Sequence, residues 1–96
     1  MKVKLRLYLP MLAQVMGGKE QTVEFPGTTV RELLDHLIQR HGRRAREALL
    51  DETGELDLVI QLVVNQAAWI SRQELDTGLH DGDEVTIMVP MAGGQA

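Results

Sequence analysis

Apolar and polar residues alternate from the start of the chain. Val3, Leu5, Leu7 and Leu9 are separated by Lys4, Arg6 and Tyr8, with Lys2 ahead of them. Period two with one polar side predicts a half-buried strand. Pro10 closes it, and residues 11–18 read as a loop or short helical turn ending at Gly17-Gly18. Val23 and Phe25 alternate with Thr22 and Glu24, a second strand over 19–25. The short connection favours antiparallel pairing of the two strands. Pro26-Gly27 marks a turn. Thr29-Val30-Arg31-Glu32 then has the form of a capping box, and Val30, Leu33, Leu34, Leu37 and Ile38 follow at helical spacing. Arg40 and His41 fall in the last turn, where cations are favoured, and Gly42 follows as the stop.

The second half is read in the same way. Ala45, Ala48, Leu49 and Leu50 suggest a shorter helix that ends before Gly54. Leu58 to Val64 is apolar apart from Gln61, which predicts a central strand covered on both faces. Asn65-Gln66 is a turn, and Ala67 to Ile70 predicts a short edge strand. Asp81-Gly82-Asp83 is a further turn. Val85, Ile87 and Val89 alternate with Glu84, Thr86 and Met88 as the last strand. The predicted domain spans 1–90, and 91–96 forms a tail with no packing pattern. Two adjacent strands, a crossing helix and later strands give an α+β roll, a mixed sheet packed on one main helix. That is the β-grasp, or ubiquitin-like, architecture.

Composition narrows the chemistry. Ninety-six residues allow one domain. The absence of cysteine excludes a disulfide framework, a zinc ribbon, an iron–sulfur site and a thiol nucleophile on this chain. It also fits a cytoplasmic protein. No apolar run reaches bilayer length, so no membrane association is expected. Residues 1–50 hold nine Lys/Arg against five Asp/Glu, a balance of +4. Residues 51–96 hold Arg72 against nine acids, a balance of −8. The acidic half would repel phosphates and suits a basic protein partner. Arg40, Arg43, Arg44 and Arg46 form the one candidate phosphate patch, but no aromatic residue neighbours them for base stacking. Nucleic acid is therefore not an expected partner.

Most candidate motifs reduce to structure. Gly17-Gly18-Lys19 lacks the earlier glycine and the following Ser/Thr of a phosphate-binding loop. His36, His41 and His80 lack metal-ligand spacing, and His36 falls on the polar side of its helix. Asp81-Gly82-Asp83-Glu84 has too few carboxylates for a calcium loop and reads as a tight turn. No cofactor or metal is expected on the chain. Trp69 suits either a partner contact or the cover of a small core's end. Val59, Val63 and Met88 fall on the sheet face opposite the helix. They form either an interface patch or a small core beneath a loop.

The chain's last segment supplies the functional signal. Asp81-Gly82-Asp83-Glu84-Val85-Thr86-Ile87-Met88-Val89-Pro90-Met91-Ala92-Gly93-Gly94 resembles the ending of the MoaD/ThiS family of ubiquitin-like sulfur carriers. Val64-Asn65-Gln66, Leu75-Asp76-Thr77-Gly78-Leu79 and Thr29-Val30-Arg31-Glu32-Leu33-Leu34 are similar to other segments of that family, so the resemblance covers almost the whole chain. Pro90 favours the MoaD side, the small subunit of molybdopterin synthase. The resemblance implies a carrier rather than an enzyme. An adenylating enzyme would use ATP to activate the terminal glycine carboxylate, and sulfur would replace the adenylate to give a thiocarboxylate. A larger synthase subunit would receive the tail and pass sulfur to a pterin precursor of the molybdenum or tungsten cofactor. Gly94 would carry the adenylate and thiocarboxylate, with Gly93 beside it. Val59, Val63, Met88, Pro90, Met91 and Ala92 would meet the partner. Glycine suits such a tail, because it adds no side chain and permits backbone conformations that others cannot adopt.

Gln95 and Ala96 follow Gly94. Gly94 is then an amide with no carboxylate to activate, so the expectation is that a trimming protease removes both residues first. The alternatives are a ubiquitin-like interaction module without carrier chemistry, or a sulfur carrier for thiamine, an amino acid or a secondary metabolite.

Overall fold

The computed structural model describes residues 1–89. Strands β1 (Lys2–Leu7), β2 (Glu20–Glu24), β3 (Gln61–Val64), β4 (Ala68–Ile70) and β5 (Glu84–Met88) form one sheet. Helices α1 (Pro10–Met16), α2 (Val30–His41) and α3 (Arg43–Leu49) complete the fold. The sheet order is β2-β1-β5-β3-β4. β1 pairs antiparallel with β2 and parallel with β5, and β5 pairs antiparallel with β3. This mixed sheet with its helices is the expected β-grasp.

One sheet face and the helices share the core. Val3, Leu5, Leu7, Val23, Leu62, Val64, Val85 and Ile87 meet Leu12, Met16, Val30, Leu33, Leu34, Leu37, Ala45 and Leu49. Full burial of each leucine contributes about 1.5–3 kcal/mol. α2 begins at the predicted capping box. Thr29 Oγ1 accepts the Glu32 N–H (3.2 Å), and the Glu32 carboxylate accepts the N–H groups of Thr28 (2.9 Å) and Thr29 (3.2 Å). The Thr28 N–H does most to hold the Glu32 carboxyl below its ordinary range. Gly27 makes room for this, since a Cβ there would lie 2.6 Å from the Glu32 Cβ.

Residues 10–16 take the helical one of the two conformations expected for this segment, and one element differs from expectation. Pro10 stops the strand but also suits the first helical position, which needs no N–H donor. Leu12 and Met16 are buried one turn apart, and Gly17 caps the end at φ 91°. The strand predicted from Leu58 begins only at Gln61. The Asp57 carboxylate accepts the Val59 N–H (3.0 Å) and the Asp57 carbonyl accepts the Ile60 N–H (3.0 Å), so 57–60 curl into a turn. Side-chain capture of a nearby backbone N–H competes with a strand ladder.

The start of β5 is clasped to the β3–β4 turn. The Asn65 amide donates to Asp83 Oδ1 (3.1 Å) and accepts the Glu84 N–H (2.9 Å), while the Asn65 N–H donates to the Glu84 carbonyl (2.7 Å). Gln66 donates to Glu84 Oε1 (2.9 Å). The turn holds both residues at positive φ, 54° for Asn65 and 59° for Gln66. Asparagine tolerates that region through local hydrogen bonding, whereas glutamine gains nothing comparable.

His36 and His41 are half-buried on the helical side, which corrects the expectation of a surface His36. His36 packs at 6.2 Å, ring centre to ring centre, from Phe25, and its Nε2 is enclosed without a partner. His41 Nε2 is likewise enclosed. Burial, with help from Arg40 and His36, holds the His41 pKa below 6.5.

Two outcomes follow for stability. Replacing Gln66 with Gly relieves the positive φ and raises the unfolding free energy by about 0.5–1 kcal/mol, while Asn65→Ala lowers it by about 1–3 kcal/mol. Denaturant titration of the three proteins compares them. His41 stays neutral in the fold at a pH where the unfolded chain takes up a proton. Its contribution is therefore present above pH 6.5 and is lost as pH falls through the lower folded pKa. Unfolding curves between pH 7.5 and pH 5 should show that decline, flattened in His41→Gln.

Candidate functional site

The outer face of the sheet, opposite the helices, follows from the alternation of each strand. β1 presents Lys2, Lys4 and Arg6 there, followed by Tyr8, and β2 presents Glu20, Thr22 and Glu24. β5 presents Glu84, Thr86 and Met88, β3 presents Gln61 and Val63, and β4 presents Trp69. The face is thus charged on the β2–β1 side and mixed on the β5–β3–β4 side, where Val63, Met88 and Trp69 stand beside Glu84, Thr86 and Gln61.

Arg6 is the paired cation of the charged side, while Lys2, Lys4 and Glu24 form no ion pair among the described residues. Arg6 bridges Glu20 on one neighbouring strand (2.9 Å) and Glu84 on the other (3.3 Å). Its hydrogen bond to Glu20 raises the Arg6 pKa and lowers that of Glu20. Tyr8 lies between two cations, with the Arg6 guanidinium 5.9 Å and the Lys19 ammonium 5.7 Å from its ring centre. The DGDE segment works as a turn. Asp81 Oδ1 accepts the Lys2 N–H (2.8 Å), and Asp83 Oδ2 accepts the His80 N–H (2.8 Å). That second bond is the main reason the Asp83 carboxyl stays below its ordinary range. Among the described residues no three His, Asp or Glu side chains gather to hold a metal.

The apolar residues of the mixed side gather toward the end where β5 finishes. Met88 pairs with Gln61, and the Tyr8 N–H donates to the Ile87 carbonyl (3.1 Å). The end of β1, the end of β5 and the turn ahead of β3 therefore meet at one edge of the sheet. Tyr8 (48% exposed), Leu58 (77%) and Val59 (53%) belong to that edge, and Trp69 (62%) lies beside Val63 on the same face. Single exposed apolar residues carry no message, but a group rimmed by charge marks an interaction surface. The chain continues from this edge into residue 90.

The predicted site residues divide accordingly. Val63 and Met88 lie on the outer face as expected, and Val63 is buried there between its register partners Trp69 and Thr86. Val59 is exposed in the 57–60 turn and is not on the sheet, because β3 does not reach it. Pro90, Met91, Ala92, Gly93 and Gly94, with Gln95 and Ala96, lie outside the described residues. The alternative of a small core beneath a loop does not hold for Met88, which stays partly exposed. Sequence reasoning named neither Tyr8 nor Leu58. Tyr8 was legible as the next outward position after Arg6, while the exposure of Leu58 depends on the Asp57 turn.

Comparison with known proteins agrees with this geometry. The model of the ThiS family matches residues 8–94. No curated protein matches the chain in sequence. Among solved structures, SAMP1 from Haloferax volcanii superposes with a TM-score of 0.79 at 26% identity, covering 98% of this chain and 100% of that one. The putative molybdopterin converting factor subunit 1 from Pyrococcus furiosus superposes with a TM-score of 0.70 at 27% identity, covering 95% and 99%. A chain of the BexX/CysO complex from Amycolatopsis orientalis gives 0.68 at 31% identity, covering 96% and 99%. With its β-grasp sheet, its clasped final strand and a family match over nearly all its length, the chain belongs to the ThiS/MoaD family of ubiquitin-like sulfur carriers.

Proposed function

We propose that this carrier works through the carboxylate of Gly94, freed by removal of Gln95-Ala96. The observation that supports this most is the position of β5. The last strand is held between β1 and β3, and it hands the chain to residue 90 at an edge bordered by Tyr8, Leu58, Val59 and Met88. A rigid body then presents a segment poor in side chains, with Gly93 and Gly94 at its reactive end. Holding that end at a partner's catalytic groups supplies the proximity the chemistry needs.

In this reading an adenylating enzyme binds ATP, and the Gly94 carboxylate attacks its α-phosphorus with loss of pyrophosphate. Sulfide then attacks the Gly94 carbonyl carbon, the bond to AMP breaks, AMP leaves and the thiocarboxylate remains on Gly94. The carrier itself needs no cofactor. Pro90, Met91 and Ala92 line the partner's channel, while Val63, Met88 and the exposed Val59 contact the surface around it. The acceptor is a pterin precursor of the molybdenum or tungsten cofactor, held by a synthase large subunit in the cytoplasm. The likeness to a putative molybdopterin converting factor subunit supports that acceptor. The likeness to a chain of the BexX/CysO complex, at 31% identity, supports a protein partner.

Reconstitution tests this. A chain ending at Gly94, given ATP, sulfide and the activating enzyme of the same host, should gain a thiocarboxylate, and the chain ending at Ala96 should not. Tyr8→Asp and Val59→Asp should weaken association with the activating enzyme by about tenfold or more without lowering the thermal midpoint. Failure of the chain ending at Gly94 to react, or full association by both variants, contradicts the reading.

A further inference from the structure

The flank of the sheet beyond β4 carries a second apolar feature. β4 is an edge strand of three residues with β3 as its one neighbour. Beside it opens a groove of about 500 Å³. Its apolar lining includes Leu56, Ile60, Leu62 and Ile70, with the exposed Leu58 and Trp69. Leu56, Ile60 and Leu62 are buried within the fold, so Leu58 and Trp69 carry most of the exposed apolar surface of the groove.

Three lining residues are charged: Asp57, Arg72 and Glu74. Arg72 is used within the fold. Its guanidinium donates to Asp51 Oδ2 (2.9 Å) and to the Leu56 carbonyl (2.7 Å). The Thr53 hydroxyl, then the Glu55 and Thr53 N–H groups and lastly the Arg72 bond hold the Asp51 carboxyl at a pKa of about 2. Asp57 and Glu74 instead accept backbone N–H groups, from Val59 (3.0 Å) and Ser71 (3.0 Å), and neither has a cation partner among the described residues. The groove is thus mixed in lining, with Gln61, Ser71 and Gln73 beside its apolar residues, and Asp57 and Glu74 are its two carboxylates without a cation partner among the described residues.

We propose that this groove docks a segment of a partner protein that presents a bulky apolar side chain next to a lysine or arginine. The apolar side chain covers Ile60 and Ile70 between Leu58 and Trp69, and the cation meets Asp57 and Glu74. Charge complementarity of this kind sets register and rejects acidic competitors. A three-residue edge offers too short a ladder for strand addition, so side chains carry the recognition. The inference goes beyond the carrier reading. It uses no residue after Glu74, and it stands whether or not Gly94 is activated.

Trp69 is the one tryptophan in the chain and reports directly. The full chain is titrated with acetyl-Gly-Arg-Leu-Arg-Gly-amide and with the counterpart in which both arginines are glutamates. The basic peptide should shift Trp69 emission saturably and move the methyl NMR signals of Leu58, Ile60 and Ile70. The acidic peptide should bind about tenfold more weakly. The double variant Asp57→Asn, Glu74→Gln keeps an oxygen for each backbone N–H and should weaken the basic peptide about threefold. No saturable shift, equal binding of the two peptides, unchanged binding by the double variant, or NMR shifts at Tyr8 and Met88 in place of the groove would each overturn the proposal. The two-peptide comparison on the unaltered chain stands even if the double variant fails to fold.

Discussion

The structure depends on inserting its last strand into the middle of the sheet. β5 must pair in parallel with β1 and antiparallel with β3, so neither half of the sheet closes without it. Val85 and Ile87 are fully buried, and Thr86 is 3% exposed on the other face. The clasp from Asn65 to Asp83 and Glu84 fixes where that strand begins. Register in a sheet is unforgiving, because a slip of one residue would turn Val85 and Ile87 outward. Fixing the start therefore fixes where residue 89 leaves the fold. Contacts at one end of β5 thus set where the strand ends at the other.

The same arrangement separates two surfaces. The helical side carries the exposed Arg40, Arg43, Arg44 and Arg46, with Arg43 paired to Glu47 at 3.0 Å. The outer sheet face divides into a charged side and a mixed side, and the mixed side borders the exit of β5. Paired exposed charges contribute little to stability. Their arrangement matters more for which partner approaches and in what orientation. Arg6, bridging Glu20 and Glu84, leaves little free charge next to the apolar group.

Much of this was legible in the sequence because local signals and tertiary structure agree. The alternation of Val3, Leu5 and Leu7, the Thr29–Glu32 capping box and the Val85–Ile87 pattern each forecast the observed element. Pro10 ends a strand and also suits the start of a helix, so the sequence left loop and helical turn both open after it. The strand expected from Leu58 starts late because the Asp57 carboxylate captures the Val59 N–H and folds Leu58 and Val59 into a turn. The Asn65 clasp was half visible. Asn65-Gln66 read as a turn and Asp81–Glu84 as another, but nothing local showed that the two touch across 18 residues of sequence. The group of Tyr8, Leu58, Val59 and Met88 was only partly visible: alternation pointed to Tyr8, Val59 and Met88, while the place of Leu58 depends on the Asp57 turn.

The central claim is that a carrier body presents Gly94 as a reactive terminus. The most direct measurement is the intact mass of the chain recovered from its own host during demand for the cofactor. The account predicts a species lacking Gln95 and Ala96, with a fraction of it heavier by the replacement of one oxygen by sulfur at the new terminus. Recovery of the full-length mass alone under those conditions, with no sulfur-bearing species, would contradict it.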